Sequence, residues 1–534
     1  MSGRDGGRDD SWASDDDPAA ADRADDGLGG PETVGYDESG YDESAADAWR
    51  AADDEAEAPR VTGGHRRPRS RAARVVVLVV LLALLSGGLV LGRRTAEVPT
   101  VRVAAAGLDG PEVPPADAVS TAWYCAAGTS SDDGPQDETV YVANLSPKRI
   151  TADVTVDPGG DEESRTVTLR VGPYERGSLP VSDVMTVDSP GVVVEVAGGA
   201  AIVEHEIRST ADIAMSPCAH SSATRWFFAS GGTPQGATQT LELYNPFGDD
   251  AIVDIAFLTD GGVQEPQALQ GFVVGRRSKV RVPVTDVVPR QERIATVVRT
   301  RTGRVVAEQV RTVDGTDGID GLTLSLGVPS PRRQWSIPVG AAETGVAGAV
   351  SIANFGLTPA SVEVSILLSG EGVLVPETID VPSRSVVRFD PSERIPAGTA
   401  YSLVAQVQGD DVVVAEADVA GVEGVATTIG SAFRARRWAL AGAPVGASSA
   451  VVAINRGPTP VTVELRAYTA GDVDSPRSAP AIVVAPGKSA RFDLDEWGID
   501  PDQVLLVSAE GPIVVGRETY LGGLSLALAV PYPS

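Results

Sequence analysis

The sequence predicts an all-β protein: four tandem immunoglobulin-like β-sandwich domains, preceded by a disordered tail and one transmembrane helix. Three observations carry this. Val75 to Gly92 is an 18-residue run without a charge. Tryptophan recurs at Trp123, Trp226, Trp335 and Trp438, spaced by 103, 109 and 103 residues. Between the tryptophans, apolar residues alternate with a period of two, and Gly, Pro, Asn and Asp punctuate the chain about every 8 to 12 residues, which suits short strands and turns.

Length and charge narrow the possibilities. At roughly 100 to 200 residues per domain, 534 residues allow three to five domains. An apolar content of 42% is enough for buried cores. The net charge of −29 argues against nucleic acid and anionic lipid as partners of the bulk protein, since both demand basic surfaces. Only Lys148, Lys279 and Lys488 are lysines among 44 basic residues, a usage that suits a GC-rich genome.

Residues 1–59 carry 19 acidic and four basic residues and a tandem GYDES pentapeptide at 35–39 and 40–44. Such a segment buries too little apolar surface to offset an ordering entropy of roughly 1 to 2 kcal/mol per residue, so it reads as a disordered acidic cytosolic tail. Tyr36, Ser39, Tyr41 and Ser44 are its candidate modification positions. Residues 60–74 form a basic juxtamembrane segment with Arg60, Arg66, Arg67, Arg69, Arg71 and Arg74. Residues 75–92 follow as the transmembrane helix, about 27 Å long at 1.5 Å per residue. Six arginines precede the span and only Arg93 and Arg94 follow, so the positive-inside bias places the N-terminus in the cytosol and residues 95–534 outside the cell membrane. The apolar run lies too far into the chain for a cleaved signal peptide.

Residues 93–118, with Pro99, Pro111, Pro114 and Pro115, read as a stalk linker. The sandwiches are then expected at 119–221, 222–330, 331–434 and 435–534. In each, a strand after the Trp ends in Asn, at Asn144, Asn245, Asn354 and Asn455, and turn chemistry follows. About 82 residues after each Trp comes a late hairpin: AIVEHEI, VVAEQVR, VVVAEADV and PIVVGRET. A propeller blade runs about 40 to 50 residues, roughly half this period. Each repeat is long enough for its own core, so beads on a string with modest interfaces are expected, reaching well over ~100 Å if extended.

The repeated residues have structural roles first. Trp123, Trp226, Trp335 and Trp438 read as core plugs, as buried Trp commonly anchors a sandwich. Asn144, Asn245, Asn354 and Asn455 read as turn closers through side-chain to backbone bonds. Glu204, Glu308 and Glu416 recur in the late hairpin, where the fourth repeat is read as Arg517 and Glu518, and one Glu per domain supplies no paired-acid site. Cys125 stands where the sister repeats have Phe228, Ile337 and Leu440, and Cys218 ends the same repeat. Outside the cytosol such a pair is expected to form a disulfide, contributing up to roughly 4 to 5 kcal/mol in the chain-entropy model.

Catalytic and metal signatures are absent from the sequence. It has three histidines in all and shows no G-x-S-x-G elbow, Walker loop, H-E-x-x-H or glycine-rich phosphate fingerprint. No enzyme, cofactor or resident metal is therefore expected. The acidic clusters Asp132, Asp133, Asp137 and Glu138, and Asp314, Asp317 and Asp320, lack EF-hand spacing and read as solvated turns.

The Arg-flanked span with its Trp…Asn repeats resembles an uncharacterised actinobacterial family of membrane-anchored proteins catalogued as a domain of unknown function. Members are often encoded near a glycosyltransferase, so the resemblance implies a role in building or organising envelope polysaccharide. Two functions are expected to compete. One is a non-enzymatic cell-envelope scaffold or binding module for a wall polysaccharide or envelope protein. The alternative is an accessory subunit positioning a membrane glycosyltransferase.

Overall fold

Strand formation follows the alternation of side chains. In Ile150–Asp157, Ile150, Ala152, Val154 and Val156 are buried while Thr151 and Asp153 are exposed, the pattern of a strand with one face on a core. The computed structural model describes residues 110–532 apart from 132–135, 161, 211, 317, 341–346, 397, 422–423 and 471. The expected tail, basic segment and membrane helix, and most of the stalk, lie outside the described residues. No helix among the described residues is long and apolar enough to cross a membrane.

The first repeat contributes β1 (Ser120–Cys125), β2 (Asp137–Asn144), β3 (Ile150–Asp157), β4 (Arg165–Val171), β5 (Arg176–Pro180), β6 (Gly191–Ala197), β7 (Ala201–Arg208) and β8 (Ile213–Pro217). They form two antiparallel sheets, ordered β1-β6-β3-β4 and β5-β2-β7-β8. The third repeat uses the same two strand orders, and the second does so with one added strand, Gly262–Gln264, which makes its first sheet five-stranded. In the fourth, one 18-residue strand, Val504–Leu521, runs through both sheets where β6 and β7 of the first repeat are separate.

The register places the recurring residues. Trp123 lies opposite Val194 on β6, and Asn144 ends β2 opposite Ala201 on β7. Trp123, Trp226, Trp335 and Trp438 are all buried. Cys125 and its sister residues Phe228, Ile337 and Leu440 are each fully buried, so the site is apolar in every repeat.

The expectation of independent beads does not hold. Residues 101–534 form one compact unit. The last long strands of the four repeats, β8, Asp320–Leu326, Gly424–Ile429 and Gly523–Leu528, meet one another. Ile213, Met215, Leu322, Leu324, Leu524 and Leu526 on them are each at least 96% buried, and burying such a side chain contributes about 1.5 to 3 kcal/mol. Cores run across repeat boundaries too. Trp123 and Val142 share a cluster with Ala439 and Ala441 of the fourth repeat, while Phe227 shares another with Trp335 and Leu524. Repeat 1 therefore packs against repeat 4 as well as repeat 2. A hydrogen bond from Val113 N to Pro531 O (2.8 Å) ties the entry of the first repeat to the exit of the last. This closure overturns the extended spacer, because the terminal repeats are held against each other.

Candidate functional site

Closure is enforced by a device that recurs at the seams. After Trp123 and Trp226 the backbone N–H groups three and four residues on, and after Trp438 the one three residues on, donate to a buried Glu on the late hairpin of a neighbouring repeat. Glu308 accepts from Ala126 N (2.8 Å) and Ala127 N (2.6 Å). Glu416 accepts from Ala229 N (3.0 Å) and Ser230 N (2.9 Å). Glu204 closes the cycle by accepting from Ala441 N at 3.0 Å. A carboxylate receiving backbone N–H groups in a dry seam makes strong charge-assisted bonds.

The fourth seam solves the problem differently. Three residues after Trp335 stands Pro338, which has no N–H to satisfy. The strand register shows that the position matching Glu204, Glu308 and Glu416 is Gly516, not Arg517 or Glu518: Gly516 pairs with Val452, three residues before Asn455, as Glu204 pairs with Tyr141, three before Asn144. A β-carbon at 516 would overlap the Pro338 ring. A proline without a donor thus faces a glycine without an acceptor. Arg517 instead donates across the seam between repeats 4 and 1 to Glu204 Oε2 (2.8 Å), and within repeat 4 to the Gly442 carbonyl.

The seam between repeats 1 and 2 gathers a buried ionic cluster, in which Glu308 of repeat 2 and Glu138 of repeat 1 meet through His205. His205 Nδ1 lies 3.1 Å from Glu138 and its Nε2 3.1 Å from Glu308. Lys279 Nζ donates to the Gly128 carbonyl (2.5 Å) and lies 3.5 Å from Glu242. Burial pulls the His205 imidazole down, but Glu308 and Glu138 outweigh it and hold its pKa at about 10. Burial raises Glu138 and Glu242 and lowers Lys279. His205, Glu138 and Glu308 are sealed from solvent, which suits a structural clamp and gives a substrate no access. At the next seam burial likewise pushes Glu416 up to about 7, against the hydrogen bond it accepts from Ser325.

The other predicted residues sit within this frame. Asn144, Asn245, Asn354 and Asn455 are buried and make one repeated turn. Each Nδ2 donates to the carbonyl four residues on, at Lys148 (2.6 Å), Asp249 (2.8 Å), Thr358 (2.8 Å) and Thr459 (2.8 Å). Each Oδ1 accepts from the N–H two residues on. The indoles of Trp226, Trp335 and Trp438 donate to Val305, Val413 and Ala435 carbonyls, while Trp123 Nε1 is buried without a partner. Cys125 and Cys218 form a disulfide beside His205, so neither sulfur is a free metal ligand. Of the acidic clusters, Asp132, Asp133 and Asp317 lie outside the described residues, and Asp314 accepts from Thr316.

Two concavities lie along the closure. Where the four last strands meet, a small apolar cavity of about 60 Å³ is lined by Met215, Leu326, Ile429, Trp438 and Leu528 among others. At the seam between repeats 4 and 1 an open polar groove of about 610 Å³ is lined by Glu175, Arg176, Tyr468, Asp500, Asp502 and Gln503. A left-handed turn residue reaches across this seam: Tyr174 (φ 49°) stacks on Tyr468, ring centroids 4.3 Å apart. The same turn position is left-handed in the other repeats, at Arg277, Arg384 and Gly487. Arg176 lies over the Tyr141 ring and donates to the Ala443 carbonyl (2.6 Å). No sequence motif marks the tyrosines, Asp500, Asp502 or Gln503, because their proximity exists only once repeat 4 meets repeat 1.

No curated protein matches the chain. A family model described as "Family of unknown function (DUF5719)" matches residues 211–426, from the last strand of repeat 1 into the last strand of repeat 3. Over this part the chain is similar to an uncharacterised family.

Proposed function

We propose that the protein is a non-enzymatic, single-pass membrane protein of the cell envelope, whose four immunoglobulin-like repeats lie outside the membrane and bind an envelope component. The proposal keeps the N-terminus in the cytosol and residues 75–92 as the anchor, on the charge asymmetry around that run. The observation that supports binding rather than spacing is the closure of the repeats into one unit with an open polar groove at the closing seam. Ligand sites favour such inter-unit clefts. The sealed acid clusters suit stability, so the groove is where a partner would act.

The test is binding of the purified full-length protein to isolated envelopes, before and after protease treatment and after polysaccharide removal. Binding that disappears with either treatment supports an envelope-binding module and sorts its partner into polysaccharide or protein. No binding to any preparation overturns the reading and favours the accessory subunit of a membrane glycosyltransferase. Replacing residues 1–94 by an unrelated anchor should then abolish function, whereas a binding module tolerates the exchange.

A further inference from the structure

We propose that the groove at the seam between repeats 4 and 1 is a binding site for a neutral, hydroxyl-rich ligand, a saccharide chain, with the Gln503 amide and the Asp500 and Asp502 carboxylates as acceptors and Tyr468, backed by Tyr174, as its aromatic wall. This rests on the envelope-binding reading and names the ligand class at the same groove.

The first support is an orphan acceptor. Gln503 is 95% buried and lines the groove, yet its Oε1 has no partner. The amide cannot simply be turned over, because Nε2 donates to Thr469 Oγ1 (2.7 Å) and to Asp500 Oδ2 (3.4 Å), and of the two ends of the amide only the N–H end can donate to a carboxylate. An unsatisfied buried acceptor is destabilising, and a ligand hydroxyl is the donor that would satisfy it once the Gln503 side chain turns this solvent-closed oxygen toward the groove.

The second support is the balance of groups. Glu175, Asp500 and Asp502 are acceptors, and the single facing cation, Arg176, already donates to Ala443 O and covers Tyr141. An anionic ligand would meet a net negative wall and find its one guanidinium engaged. A neutral polyol presents donors in quantity, as this lining requires. The third support is the tyrosine pair. Tyr468 lines the groove and Tyr174 stacks on it with an interplanar angle of 17°, and Tyr174 is held there by its left-handed turn. Flat aromatic side chains with a polar tip suit the C–H faces and hydroxyl edges of sugar rings.

The experiment uses full-length protein in a polyoxyethylene detergent, which carries no competing sugar headgroup. The probe is the neutral polysaccharide fraction of isolated envelopes, delipidated, protease-digested and sonicated to short chains, titrated by calorimetry. The wild type is expected to bind. Asp502→Ala should weaken binding tenfold or more with an unchanged melting temperature, Tyr468→Ala should weaken it as much while also losing the stacking on Tyr174, and Gln503→Leu should weaken it as well. If one variant fails to fold, Asp502→Ala, which alters a partly exposed side chain, still decides the matter. Equal binding by wild type and Asp502→Ala overturns the groove. Binding to intact envelopes without binding to the neutral fraction also overturns it and leaves the broader function standing. Failure to bind envelopes at all sinks the function reading itself.

Discussion

At the seam of repeats 1 and 2 a buried carboxylate, Glu308, holds the Ala126 and Ala127 N–H groups and faces His205. At the seam of repeats 3 and 4 the matching positions carry Pro338 and Gly516, one without a donor and the other without an acceptor. The two arrangements close over the same place in the fold, so charge is not what the place requires. What it requires is that no buried backbone donor be left unpaired. That can be met by adding an acceptor or by removing the donor.

The comparison breaks most sharply at Glu308. Glu308→Ala strands two backbone donors and leaves His205 with one carboxylate, so it should destabilise the protein by about 3 to 5 kcal/mol, the range for uncovering one partner of a buried ionic contact. Urea unfolding measures this, and a loss below about 1 kcal/mol would show that the clamp is dispensable. Gly516→Glu should cost about 3 kcal/mol, since it buries a carboxylate against a proline ring that offers no N–H. Adding Pro338→Ala should return at least about 1 kcal/mol, within the range of coupling between residues in contact. Strict additivity of the two substitutions would refute the equivalence of the seams.

The pH profile sharpens it further. Glu416 titrates near 7 in the folded protein against 4.5 in the unfolded chain, so the fold holds its proton more tightly. Its contribution is fully present below pH 4.5, falls as pH rises toward 7 and is flat above. The total is about 3 kcal/mol on the linkage relation. Melting temperatures should decline across that window and Glu416→Gln should flatten the decline. His205, held at about 10 against 6.5, adds a second decline, beginning above pH 6.5 and complete as pH passes 10. The smallest effect is expected at a turn: Asn354→Ala removes bonds to Thr358 O, Val381 O and Gly356 N and should cost about 1 to 3 kcal/mol at the same melting assay.

Much of the strand content was legible in the sequence because alternation and turn residues are local. Trp123 and Asn144 could be placed by their spacing alone. The closure was not legible, since Glu308 serves Ala126 across 182 residues, and no local period encodes such a reach. A signal was nevertheless present. Pro338 breaks the Trp-plus-three pattern of Ala126, Ala229 and Ala441 in the repeat before Gly516 breaks the Glu pattern, and two exceptions that cancel are the mark of two positions in contact. Aligning the fourth hairpin on Arg517 and Glu518 hid this by one residue. The groove was beyond reach for the same reason, because Tyr174 and Tyr468 meet only between the first and last repeats.

The cycle of seams also imposes a timetable. Repeat 1 leaves the ribosome long before repeat 4, and the Glu204 carboxylate, the Tyr174 ring and the Arg176 hydrogen bond to Ala443 wait for the last repeat. Until then the first repeat carries an unmatched flank, with Ala439 and Ala441 still missing from the cluster that contains Trp123 and Val142. A nascent chain stalled after the third repeat would therefore be the form most vulnerable to proteases and to mispairing with a second nascent copy, whose own repeat 4 could complete the cycle in trans.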